Sequence, residues 1–147
     1  MTDKQLREAR EAAKELADTF AEKAKLPPGD GYSSREIGVS LWDQDIYPNV
    51  VGGLQVEEPA ADLAIAGAIL SSLFGRPIAP STVIFGEIGL GGEVRSAMFA
   101  EIRLKEASVL GFKRGIIPAQ SIAEETPSLV ETLRVNDLRQ AQEVFFV

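Results

Sequence analysis

The chain of 147 residues contains neither cysteine nor histidine. The missing cysteines exclude disulfide frameworks, thiolate zinc sites and thiol nucleophiles together. The missing histidines exclude Ser-His-Asp chemistry, imidazole metal ligation and imidazole acid–base catalysis. Aromatic residues are sparse, at 7%. No apolar run approaches the eighteen or so residues of a membrane span, and the charged start Met1-Thr2-Asp3-Lys4 carries no apolar signal segment. A cytoplasmic protein with no membrane association is expected. Positive charge is also short. The net charge is -7, and with six cations and six anions in residues 1–25, nine cations face sixteen anions in the remainder. A generally basic nucleic-acid-binding face is therefore not expected.

What is present is an ordinary globular composition, 45% apolar and 25% charged, of a length that buries roughly two thirds of its unfolded surface as one domain. Thr2 and Gln5 are spaced as a capping box, and Leu6, Ala9, Ala13, Leu16 and Phe20 follow at helical intervals. Residues 1–26 thus read as an amphipathic helix, either docked on its own domain or serving as an arm for a protein partner. Pro27, Pro28 and Gly29 open a linker, 27–35, and the remainder, 36–147, reads as the main domain.

Alternating apolar residues predict strands from Glu36 to Trp42 and from Ile46 to Val51. Pro59 fits the first turn of a helix running from Ala60 to Phe74, apolar on nearly every side and ended by Gly75. The short apolar runs Val83–Phe85 and Gly115–Ile117 suit strands covered on both faces. Between them come a glycine turn at 89–92 and a helix from Ala100 to Leu110, stopped by Gly111. A strand around Leu129–Leu133 and a helix capped by Asn136 complete an α/β order.

Chemistry-bearing clusters are few. The glycine-rich stretch 86–92 lacks a Gly-Lys-Ser/Thr ending and is flanked by Glu87 and Glu93, so a hairpin turn is expected, not a phosphate loop. Glu57, Glu58 and Asp62 sit at a helix start, where the macrodipole favours negative charge; with Asp43 or Asp45 they could also face a hard cation, but no metal or other cofactor is expected. Arg95, Arg103, Lys105, Lys113 and Arg114 form the densest basic group and are the candidate DNA-binding residues, although Glu93, Glu101 and Glu106 interleave with them.

Three ordered blocks then carry a resemblance. They are Asp45-Ile46-Tyr47-Pro48-Asn49-Val50-Val51-Gly52-Gly53 with Glu58-Pro59-Ala60-Ala61-Asp62-Leu63-Ala64, then Phe85 through Arg95, then Leu110-Gly111-Phe112-Lys113-Arg114-Gly115-Ile116-Ile117-Pro118. Residues 43–118 resemble the C-terminal domain of the bacterial RadA (Sms) DNA-repair family, a domain that is itself similar to the proteolytic domain of Lon. The resemblance implies a Lon-protease-like α/β sandwich of sheet and helices. In Lon-type proteases a Ser-Lys dyad works without histidine, the serine lying in a Pro-Ser-Ala step. Here that step reads Pro59-Ala60-Ala61, and ungapped counting puts Glu101 at the lysine position. Neither residue can do the work of nucleophile or base.

The resemblance therefore implies an inert scaffold that oligomerises, with a hexamer as the family's form, and contacts DNA weakly in recombination and repair. No Walker A sequence or four-cysteine zinc module occurs in the chain, which is expected to be either a fragment or a free-standing relative. Two rivals stand beside this reading. One is a regulatory module for a protein partner, bound through the N-terminal helix. The other is a serine peptidase pairing Ser71, Ser72 or Ser96 with Lys105.

Overall fold

The computed structural model describes residues 57–121 and 130–146. The expected N-terminal helix, the linker and the strands at 36–42 and 46–51 lie outside these residues. A single turn of 3-10 helix, Pro59–Ala61, leads into helix α1, Asp62–Phe74. Proline at the first position of the turn forfeits an N–H that would have had no helical partner. Gly75 closes α1 in the left-handed region, at φ 60, and the N–H groups of Gly75 and Arg76 return to the carbonyls of Ser72 and Ser71. This double closure satisfies two of the four orphan carbonyls at a helix end and requires a residue without a Cβ penalty.

Strand β1, Thr82–Ile84, follows, then a hairpin of β2, Glu87–Ile88, and β3, Val94–Arg95; helix α2 spans Ala100–Val109, strands β4 and β5 span Arg114–Pro118 and Glu131–Val135, and helix α3 spans Leu138–Phe145. The main sheet has the order β1-β4-β5 and is parallel throughout, with Ile84, Ile116 and Leu133 in register. β4 is the centre strand. Because side chains alternate across a strand, its neighbours Ile116 and Ile117 point to opposite faces, and each anchors a separate cluster. Ile116 joins Leu63, Leu70, Val135 and Phe145, contributed largely by α1 and α3. Ile117 joins Ala60, Phe85, Ala100, Leu104 and Val130 beneath α2. Helices thus cover both faces of the sheet, as a continuous Gly-Ile-Ile-Pro run requires.

Three expectations are corrected in detail. β1 is only half-buried along its length, and among the described residues it pairs on one side only, with β4, which lies between β1 and β5. β5 runs on to Val135, two residues past the expected end. The cap of α3 is Asp137, not Asn136: the Asp137 carboxylate accepts from the Gln140 N–H at 2.8 Å, while the Gln140 side chain accepts from the Asn136 N–H at 2.9 Å. A carboxylate accepts more strongly than a neutral amide at a helix N-terminus, and the Gln140 side chain reaches back one residue beyond the cap, to the Asn136 N–H.

Candidate functional site

Ala60 occupies the middle of the 3-10 turn and is 3% exposed. Both of its backbone polar groups are engaged. Its N–H donates to Glu58 Oε1 at 3.2 Å, and its carbonyl accepts from the Gly86 N–H at 2.7 Å. The Gly86 carbonyl in turn accepts from the Leu63 N–H at 3.0 Å, so the end of β1 is clamped against the start of α1. Only glycine fits this clamp, since a Cβ at position 86 would meet Val94, Pro118 and Leu63 at 2.9–3.2 Å. Around Ala60 lies the cluster of Phe85, Ala100, Leu104, Ile117 and Val130. The place where a nucleophilic hydroxyl was sought is a closed apolar contact.

Arg103 frames this place. Its guanidinium pairs with Glu58 Oε2 at 2.8 Å, donates to the Met98 carbonyl at 2.9 Å and lies 5.8 Å from the centroid of the Phe85 ring. One side chain thereby ties together the entry to α1, the end of β1 and the entry to α2. The Arg103 hydrogen bond, followed by the Ala60 N–H, holds the Glu58 carboxyl below its ordinary range. Glu101 is exposed in the first turn of α2, a place that suits a carboxylate electrostatically.

Three of the five candidate DNA-binding cations are paired with carboxylates. Arg95 is held within the hairpin by Glu93 at 2.6 Å and Glu87 at 3.3 Å, and Glu93 is itself bonded by the Gly91 N–H. Arg103 is committed as described, and Arg114 lies 3.9 Å from Glu131 on the adjacent strand. Lys105 and Lys113 are exposed and form no ion pair among the described residues. Sequence reasoning missed the framing role of Arg103 because its acid, Glu58, is 45 positions away.

Of the acidic candidates, Glu58 caps the turn and binds Arg103, and Asp62 Oδ2 accepts from the Ile88 N–H at 3.2 Å. Among the described residues no three acidic side chains are grouped to hold a metal ion. Asp43 and Asp45 lie outside them. The Ser71 hydroxyl donates to the Arg76 carbonyl at 2.7 Å, closing the end of α1, and Ser72 and Ser96 are exposed. No described helix is long and apolar enough to cross a membrane.

Over 112 residues, 76% of the chain, the sequence is 44% identical to the DNA repair protein RadA of Pseudomonas aeruginosa. It is 41% identical over 111 residues to the DNA repair protein RadA of Escherichia coli, and 52% identical over 84 residues to that of Synechocystis. The matched part of the chain is RadA-family sequence. No family model matches the chain. The chain spans about a quarter of the length of the Pseudomonas and Escherichia RadA proteins. In this RadA-family segment the Ala60 turn, the Gly86 clamp and the Arg103 frame form one connected unit, built from residues 58–103.

Proposed function

We propose that this chain is a catalytically inert, Lon-type domain that serves as an assembly and docking scaffold in DNA recombination and repair, corresponding to the C-terminal part of RadA proteins. Its likeness to proteins named for DNA repair supports the setting. The single observation that carries inertness is Ala60. A dyad peptidase needs a hydroxyl at this turn and a buried, proton-accepting lysine facing it. Here a methyl group is sealed in an apolar cluster, and the counterpart position holds the exposed carboxylate of Glu101.

Self-association follows from the scaffold role, and closed symmetry is its usual form. DNA contact is a minor term. Three of the five candidate cations are already matched by carboxylates, so Lys105 and Lys113 are left to meet phosphate, and two contacts give weak, sequence-blind, salt-sensitive binding. Two measurements on the unmodified protein test the reading. Mass in solution, with and without DNA, should exceed that of one chain. An unstructured casein-like substrate should remain intact; hydrolysis abolished by replacing any one serine would overturn the reading.

A further inference from the structure

Helix α2 buries Ala100, Leu104 and Ala107 against the domain. On its opposite side Ile102 and Val109 are 59% and 75% exposed, and at 3.6 residues per turn both point about 170° away from the middle of the buried set. Seven residues apart, they form one seam along two turns. Lys105 and Glu106 flank this seam, each about 50° to one side of it. Both are exposed and neither forms an ion pair among the described residues, although Glu101 and Lys105 have the spacing for one. A helix that meets water on this side is expected to place polar residues along its outermost line; here that line is apolar and the charges stand beside it. Each end of the helix adds an exposed apolar residue, Phe99 before it and Leu110 after it. Phe99 holds the left-handed region at φ 59, a conformation costly for an aromatic residue, and with its side chain 65% exposed, packing within the domain does not offset that cost.

Resting on the self-association put forward above, we propose that this seam is a two-fold contact with a second copy of the chain, in which the two α2 helices lie side by side and parallel. The charge pattern selects both the occupant and the direction. In a parallel pair related by an axis along the helices, opposite flanks meet, so Lys105 of each copy faces Glu106 of the other and the pair is made twice. Ile102 and Val109 then each meet their own counterpart across the axis. In an antiparallel pair like flanks meet, and Lys105 would face Lys105 while Glu106 faced Glu106. Exposed ion pairs of this kind set orientation more than affinity. They stay in water at the rim of the contact, so Lys105 keeps its access to phosphate. A stable interface buries roughly 800 Å² on each partner, and four exposed apolar side chains cover less, so the contact belongs with the weak, reversible ones.

The absence of native cysteine makes the test direct. In the full chain at high micromolar concentration, Ile102→Cys and Val109→Cys should each be dimerised by a short bismaleimide about tenfold faster than Glu143→Cys, whose side chain is exposed on α3. Rates equal to that control would overturn the contact. In a mixture of the two seam variants, cross-links joining position 102 of one copy to 109 of the other should be the minority; their excess would mean antiparallel helices and overturn the pairing. Charge reversal is the second arm. Lys105→Glu and Glu106→Lys each leave like charges opposed and should weaken self-association, followed by sedimentation, about tenfold, whereas Lys105→Glu combined with Glu106→Lys should restore it. Both side chains are already exposed, so the domain stays folded, and a double exchange no better than the single changes would refute the assignment. A mass above one chain that no seam substitution alters would overturn the contact and leave the scaffold reading standing; a parent protein that stays a single chain would overturn both.

Discussion

Gly86→Ala is the most informative single perturbation of the clamp around Ala60. The added Cβ would stand 2.9 Å from Val94 Cγ1, 3.1 Å from Pro118 Cγ and 3.2 Å from Leu63 Cδ2. Ordinary carbon contacts begin near 3.5 Å, so each neighbour must retreat by roughly 0.3–0.6 Å. The three neighbours belong to β3, β4 and α1, so no single shift relieves them together. Backbone retreat is blocked as well, since the Gly86 N–H and carbonyl are bonded to Ala60 and Leu63 at 2.7 and 3.0 Å. Overpacking of this kind costs about 1–3 kcal/mol, and the stiffer unfolded chain offsets about 0.4–1 kcal/mol. The net expectation is about 1–2 kcal/mol, a fall in Tm of roughly 3–8 °C followed by far-UV circular dichroism. Removing the nearest clash should rescue part of it: Gly86→Ala with Val94→Ala should be less destabilised than the sum of the single changes by about 1 kcal/mol. Gly75→Ala is the contrast, with open space around its Cβ and only the left-handed backbone to penalise it, about 1–2 kcal/mol, with no coupling to Val94. A Gly86→Ala protein as stable as the parent, or additivity with Val94→Ala, would show that the clamp is not close-packed.

Removing the α3 cap with Asp137→Ala should cost about 1 kcal/mol, whereas Asn136→Ala should cost less; equal losses in urea unfolding would contradict the assignment of the cap. Glu58 and Glu93 are held below the ordinary carboxylate range by their hydrogen bonds, so the folded state binds protons less readily than the unfolded one. Their contribution is complete above the unfolded carboxylate range and is lost as pH falls from there through their lower folded-state values, and Glu93→Gln should flatten the acid side of the Tm–pH curve; an unchanged slope would show no linkage. The logarithm of DNA affinity against the logarithm of salt should have a slope of roughly -2, as for two phosphate contacts, and Lys105→Glu with Lys113→Glu should abolish the binding; a slope near -4.5 would restore all five cations to the interface.

Much of the architecture was legible in local chemistry. The proline and glycine bracketing α1, the apolar runs of β1 and β4, the glycine turn and the stop of α2 at Gly111 depend on backbone preferences and periodicity within a few residues, so the sequence alone places them. That position 60 carries a methyl group and no hydroxyl is likewise read directly from the sequence. The position of Asp137 as cap was less legible, since Asn136 and Asp137 are both competent and only the end of β5 decides between them.

Tertiary structure alone decided the rest, because it depends on pairs distant in the chain. Whether an arginine is available to phosphate or committed to a carboxylate depends on Glu58 reaching Arg103 across 45 positions and on β4 lying beside β5. That β4 lies between β1 and β5 among the described strands follows from strand order, which two similar apolar runs do not specify. The outward stripe of α2 is the clearest case. Periodicity marks which residues of a helix share a face, but only the packing shows that Ala100, Leu104 and Ala107 are buried while Ile102 and Val109 are exposed, with Leu104 set against Gly115 and both Ala100 and Leu104 clustered with Ile117.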